Sequence, residues 1–337
     1  MHIFITGGAG FIGSNLVGEL LHEGECKRIV VFDNLKSGSI TYLEKHFSDP
    51  RLEFIRGDLH EAERLVRAMV GIDQLIHLAA NPDISQAEKN PVLDFNEGTM
   101  LTQIVMEAAR INKIRNVIFT SGSGVYGESQ NSVFSEEYGP CLPISPYGAA
   151  KLASEALISA YCHMFQMQGV SLRFANVVGP NQTHGVGYDF IKKLLIDNRK
   201  LVILGDGEQS KSYIYISDVL EAIKLAVAGK LSSRPFDVFN VATNDYISVN
   251  EIARLACTTS GLEEESVAFL RTGGDRGWNG DVPKIRFDTK KIRAHGWRNK
   301  LTSKEAIERS LLDNYILLKT STVPLYSADA NSDFGEY

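Results

Sequence analysis

The chain has 337 residues, 44% of them hydrophobic, and its 35 Lys and Arg against 41 Asp and Glu give a formal net charge of −6. That length allows one large core or two modest ones, and the mild acidity argues against nucleic acid or an anionic membrane as the main partner. No apolar run approaches the roughly 18 residues of a membrane span, and no signal-peptide region precedes the first strand, so a cytoplasmic protein is expected. Cys26, Cys141, Cys162 and Cys257 are scattered without the close pairing of a metal knuckle, so free packing thiols and no metal site are expected.

The first element is an apolar strand, Phe4-Ile5-Thr6, that runs into Gly7-Gly8-Ala9-Gly10-Phe11-Ile12-Gly13 and then into an amphipathic helix. Gly7 permits the tight turn, Gly10 has no side chain to block a pyrophosphate, and Gly13 lets the helix pack closely on the strand. The phosphates of a dinucleotide then sit on the positive helix N-terminus opened by Phe11 and Ile12. Asp33, followed by Asn34, ends the second apolar run Arg28–Phe32. It stands about where an acidic residue, typically about 20 positions on, accepts the adenosine ribose hydroxyls. A carboxylate there repels a 2′-phosphate, so NAD is favoured over NADP.

Further strands are expected near Phe54, Leu75, Val117 and Leu172, with helical periodicity between them. This alternation predicts an α/β fold, a doubly wound parallel Rossmann sheet with the ligand at the carboxyl ends of its strands. From about Asn176 the regularity falls. Gly179–Gly187 leads to a helix around Phe190–Ile196, and Ser248 caps a helix through Leu255. Thr302-x-x-Glu305 is a capping box opening the last helix. The expected division is a Rossmann domain over 1–175 to which 213–243 return, and a smaller α/β C-terminal lobe from 176–212 and 244–318 that binds substrate. The polar stretch 319–337 is expected to be disordered.

Tyr147-Gly148-Ala149-Ala150-Lys151 places a phenol and an ammonium at i and i+4, on one helix face. A Lys beside a Tyr is expected to lower the phenol's pKa and make it usable as a general base or acid. The pair follows the strand Asn116–Thr120 and the polar turn Ser121–Tyr126, so acid, base and cofactor converge on one pocket.

Taken together, the ordered motifs resemble the extended short-chain dehydrogenase/reductase family, and within it the nucleotide-sugar epimerases of the UDP-glucose (UDP-galactose) 4-epimerase type. They are Gly7-x-x-Gly10-x-x-Gly13, Asp33, Gly57-Asp58-Leu59, His77-Leu78-Ala79-Ala80, Val125-Tyr126-Gly127, Tyr147-x-x-x-Lys151 and Arg173-Phe174-Ala175-Asn176. The resemblance implies a tightly held NAD contacted also by Asp58, Leu59, Ala79 and Ala80, with Tyr147 as base towards a sugar hydroxyl and a transient 4-keto sugar. It implies Asn176, Lys211 and Arg276 near the substrate diphosphate. Asn176 can equally cap a turn, and Lys211 and Arg276 can be ordinary solvated cations. The family also implies a homodimer through Pro91–Ile111 and Ala149–Gln168.

Two departures stand out. Relatives carry Ser or Thr three residues before the Val of Val-Tyr-Gly, where this chain has Gly122, so Ser121, Ser123, a water or the substrate itself must complete the proton relay. Gly98 stands where relatives hold an Asn, with Asn96 nearby as a displaced substitute. The family's dehydratases place Asp-Glu where this chain has Ser123-Gly124. That absence favours simple oxidation and re-reduction, with 4-epimerisation leading. Dehydratase or net oxidoreductase action, or a catalytically weak NAD- and nucleotide-sugar-binding protein, are the alternatives.

Overall fold

A computed structural model of the chain describes residues 1–82, 84–128 and 133–320. Of the stretch 319–337 expected to be disordered, Lys319 and Thr320 instead end the helix Ser303–Thr320, and the rest lies outside these residues. Seven strands form one sheet: β1 (His2–Thr6), β2 (Arg28–Asp33), β3 (Leu52–Arg56), β4 (Gln74–His77), β5 (Asn116–Gly122), β6 (Gln168–Phe174) and β7 (Phe236–Val241). Their order is β7-β6-β5-β4-β1-β2-β3, and every pairing is parallel. The chain reverses its direction of winding between β1 and β4, the position where such sheets open a ligand crevice.

The central strands are near-continuous apolar runs because helices cover both faces. Ile3, Phe4 and Ile5 of β1 and Ile29 to Phe32 of β2 are fully buried. Helix α1 (Phe11–Glu23) buries Leu16, Val17 and Leu20 and ends at Gly24, whose φ of 76° is the left-handed conformation glycine adopts cheaply. Helix α2 (Ala62–Ala68) follows β3. The expected long helix over Pro91–Ile111 is interrupted. A short turn, Val92–Asp94, enters a π-helical segment, Phe95–Met100, before regular helix α3 (Leu101–Ile111) begins.

Helix α4 (Pro146–Met164) starts with Ser145 as N-cap, its Oγ accepting the Gly148 N–H, and with Pro146 at the first helical position. A buried ion pair fastens it to the sheet. Glu155 accepts from Arg173 Nε at 3.0 Å and Nη2 at 2.6 Å, with both side chains at most 6% exposed. Removing either partner would strand a buried charge, at a cost of about 3–5 kcal/mol.

The remaining elements include α5 (Val186–Ile196), α6 (Ile216–Val227), α7 (Val249–Thr259), the short helix Lys290–Ala294, α8 (Ser303–Thr320) and several two- to four-residue strand pairs. Helix α5 begins four residues earlier than expected and α7 runs four residues longer. The capping box of Ser248 and Glu251 is formed, and Thr302 and Glu305 exchange the same two bonds. The loop leading into this region is tied to α1: Asn15 Nδ2 donates to Pro180 O, and Asn181 Nδ2 to Ser14 Oγ.

Candidate functional site

The glycine turn after β1 is shaped by steric exclusion. A Cβ on Gly13 would lie 2.4 Å from Gly7 O, and one on Gly7, at φ +69°, would lie 2.9 Å from Ala79 N. Any side chain at either position would force the turn apart. Gly10 caps α1 with no side-chain hydrogen bond, so the first N–H groups of the helix, on Phe11, Ile12 and Gly13, face outward as donors for an anion. Asp33, 8% exposed, accepts the Ala9 N–H at 2.9 Å and the Leu35 N–H at 2.8 Å. Burial raises its pKa, with the two N–H bonds opposing. Asn34 Nδ2 donates to Asp58 Oδ2 at 3.1 Å, bringing Asp58 to the same edge of the crevice, and Leu59 is buried beneath it. Ala79 N–H reaches Thr6 Oγ1 at 3.3 Å and stands against Gly7 on the other side of the turn, followed by the half-buried Ala80. The uncapped donors, the bare glycine cradle and the acidic residue on β2 fit a dinucleotide.

Lys151, 6% exposed, projects from α4 and donates to the Thr120 carbonyl at 2.8 Å. Its Nζ lies 4.9 Å from the Phe119 ring centroid and 5.7 Å from that of Tyr147. The expected lowering of the Tyr147 pKa is not found in this state: burial, and then the carboxylate of Asp94, push it up to about 12. Desolvation lowers Lys151 instead, to about 8, with Glu155 and Asp94 opposing. Desolvation is the leading cause of both shifts.

The turn beside the pair is small and polar. Ser121 is 5% exposed, and its Oγ is buried with no hydrogen-bond partner among the described residues. Ser123 begins a 3₁₀ turn, Ser123–Tyr126, and is half-buried. Gly122 has extended backbone, and a Cβ there would meet only Phe174 O, at 3.9 Å.

A family model, the NAD dependent epimerase/dehydratase family, matches residues 3–242. The chain belongs to this epimerase/dehydratase family. It is 29% identical over 317 residues to a UDP-glucose 4-epimerase of Mycolicibacterium smegmatis, covering 92% of this chain and 97% of that one. A crystal structure of a UDP-galactose 4-epimerase superposes with a TM-score of 0.81 at 36% identity, covering 95% of this chain and all of the other. The dTDP-glucose 4,6-dehydratase DesIV of Streptomyces venezuelae, solved with NAD bound, gives 0.85 at 25% identity over 95% of this chain and 98% of its own. The protein is thus NAD-dependent, and its fold is shared by epimerases and dehydratases.

In this epimerase/dehydratase, the three expected substrate contacts are not free groups. Asn176 Nδ2 donates to Ser212 O at 3.3 Å, at the start of the strand pair Asn176–Val178 and Tyr213–Tyr215. Lys211 is 17% exposed and bonds Asp281, and Arg276 is 33% exposed and reaches Glu128 at 3.2 Å and Asp275 at 3.1 Å. Asp94 was missed by the sequence reading. It is 1% exposed, and its Oδ1 accepts from Asn81 Nδ2 at 2.9 Å. Its one signal was an acidic residue inside the apolar run Val92-Leu93-Asp94-Phe95. Gly98 also acquires a reason: a Cβ there would lie 3.0 Å from Ala150 Cβ, so the glycine lets the π segment approach α4 beside Lys151. Asn96 lies half-buried on that segment.

No helix of the described residues is long and apolar enough to cross a membrane, and all four cysteines are free thiols.

Proposed function

We propose that this protein epimerises a nucleotide sugar, with a UDP-sugar inverted at carbon 4 as the leading case. The observation that carries this reading is the catalytic turn. Tyr147 and Lys151 meet the end of β5 beside Ser121-Gly122-Ser123-Gly124, a turn that offers hydroxyls and no carboxylate. Removal of water from a keto sugar needs an added acid or base, whereas inversion needs one proton acceptor that also returns the proton. The epimerase relatives support the same choice; the dehydratase relatives share the fold and the cofactor.

When bound, NAD supplies the exchange of hydride with the sugar carbon. The glycine turn and the open N-terminus of α1 hold its pyrophosphate, and Asp33 and Asn34 face its adenosine ribose, with Asp58, Leu59, Ala79 and Ala80 around it. Tyr147 Oη takes the hydroxyl proton of the sugar and gives it back. Lys151, fixed by the Thr120 carbonyl, lends its charge to the phenolate. Ser121 and Ser123 stand nearest to replace the hydroxyl that Gly122 lacks. Asn176, Lys211 and Arg276 meet the diphosphate after exchanging their present partners.

We assign 1–175 with 213–243 to the cofactor domain and 176–212 with 244–318 to the substrate lobe. The working unit is proposed as a homodimer through the α3 and α4 region. Val105 and Ile158 are consumed by the subunit's own core, but Phe95, Ile111, Met164 and Phe165 are each at least 41% exposed. Incubation with a panel of UDP-sugars and NMR of the products tests the reaction: epimers support it, and 4-keto-6-deoxy products replace it with dehydration.

A further inference from the structure

The loop from Asp275 to Asp281 carries a tryptophan whose environment the catalytic account does not use. Its turn is closed internally: Gly277 N–H donates to Asp281 Oδ2 at 3.2 Å, and Asp281 N–H to Trp278 O at 3.1 Å. Asp281 is 4% exposed and also bonds Lys211, whose Nζ lies 5.3 Å from the Trp278 ring centroid. The loop borders the catalytic helix. Asn279 and Gly280 line a cavity of about 230 Å³ together with Ile144, Ser145 and Pro146, the residues that run directly into Tyr147.

The indole N–H of Trp278 is buried and has no hydrogen-bond partner among the described residues. A buried donor left unmade is costly, and such groups in native structures call for an explanation. The chain contains an internal comparison. Its only other tryptophan, Trp297, donates its N–H to Asp218 O at 2.9 Å within the core. The cations around Trp278 are already committed, Lys211 to Asp281 and Arg276 to Glu128 and Asp275. The indole is a neutral donor that an acceptor oxygen can engage before Lys211 and Arg276 exchange those partners for the ligand.

We propose that Trp278 is a substrate-recognition residue whose indole N–H donates to a diphosphate oxygen of the bound nucleotide sugar, between Lys211 and Arg276. This rests on the nucleotide-sugar reading above. The ring packs beneath the Lys211 ammonium while its N–H provides direction, so one side chain both places the cation and reads the ligand.

The test is calorimetric titration of the NAD-loaded protein with UDP and with UDP-glucose, comparing wild type with Trp278→Phe, which keeps an aromatic ring under Lys211 and removes the donor. UDP and UDP-glucose should both weaken about tenfold, with NAD content and melting temperature unchanged. UDP should also perturb the indole emission of the wild type, because Trp297 is buried elsewhere. Equal UDP affinity in the two proteins overturns the proposal, as does weakening confined to UDP-glucose, unmoved emission, or a wild type that does not bind UDP. If wild type epimerises a UDP-sugar and Trp278→Phe binds UDP normally, only this inference falls. If Trp278→Phe loses UDP affinity while wild type converts no UDP-sugar, this inference stands and the epimerase reading falls.

Discussion

The ammonium of Lys151 is held by the carbonyl of Thr120 at 2.8 Å, so the cation of the proposed catalytic pair is fixed by the carboxyl-terminal half of β5 and not by the phenol of Tyr147. Tyr147 and Lys151 therefore start apart in protonation, near 12 and near 8, and both are governed first by burial. Positive charge brought by a bound cofactor would favour the phenolate and lower the phenol's pKa.

That separation gives a pH signature. Native Lys151 releases its proton near pH 8 and the unfolded side chain near 10.5. Between those values the unfolded state binds more protons, so this group makes stability rise with pH, by up to about 1.4 kcal/mol per unit. Urea unfolding of Lys151→Met should lack that rise relative to wild type. A wild-type-minus-variant difference that is flat, or falls, from pH 8 to 10.5 contradicts the assignment.

Tyr147→Phe keeps the ring and deletes the proton-transferring oxygen. Turnover should fall by roughly 10²–10⁴-fold, the range for a positioned acid or base, while NAD stays bound. Steady-state rates together with the NAD content of the purified variant decide this, and near-wild-type turnover removes Tyr147 from its role.

Replacing Asp33 by Ala should weaken NAD through lost charge-assisted bonds worth about 1.5–3 kcal/mol, and relax discrimination against NADP. The carboxylate also holds the Ala9 N–H of the glycine turn, so some loss comes from a looser turn. Asp33→Asn separates the two effects, since its side-chain oxygen can still accept the Ala9 N–H. Wild type binding NADP as tightly as NAD would falsify the role of Asp33.

Gly122→Ser should fold as well as wild type, because the site is extended and the new Cβ has 3.9 Å to its nearest neighbour. If water completes the relay, the added hydroxyl leaves turnover equal or higher, within the roughly 0.5–1.5 kcal/mol of a net hydrogen bond. If the sugar itself fills the space, KM rises sharply instead. Unchanged constants, combined with a large loss in Ser123→Ala, assign the relay to Ser123.

Much of this was legible in the sequence because it is local. The glycine spacing, Asp33 at the end of a β run, the i, i+4 pair of Tyr147 and Lys151, the Ser248 cap and the capping box of Thr302 and Glu305 are set by turn chemistry and helical periodicity. What escaped depends on packing between distant segments. The π segment over Phe95–Met100 and the Lys211–Asp281 bond across 70 residues have no local signature, and the burial of Asp94 near Tyr147 is marked only by an acidic residue in an apolar run. The direction of the Tyr147 shift escaped for the same reason, since desolvation is a property of everything around a group.

Epimerisation by this protein is inversion at one carbon, through removal and return of the same hydrogen within one active site, as proposed above. It is tested most directly with UDP-glucose carrying deuterium at carbon 4, incubated without added NAD and followed by NMR. The expected outcome is a UDP-galactose product that keeps the deuterium at carbon 4, with no accumulation of NADH. Deuterium appearing at another carbon of a 4-keto product, or NADH released in step with a free keto sugar, would contradict it.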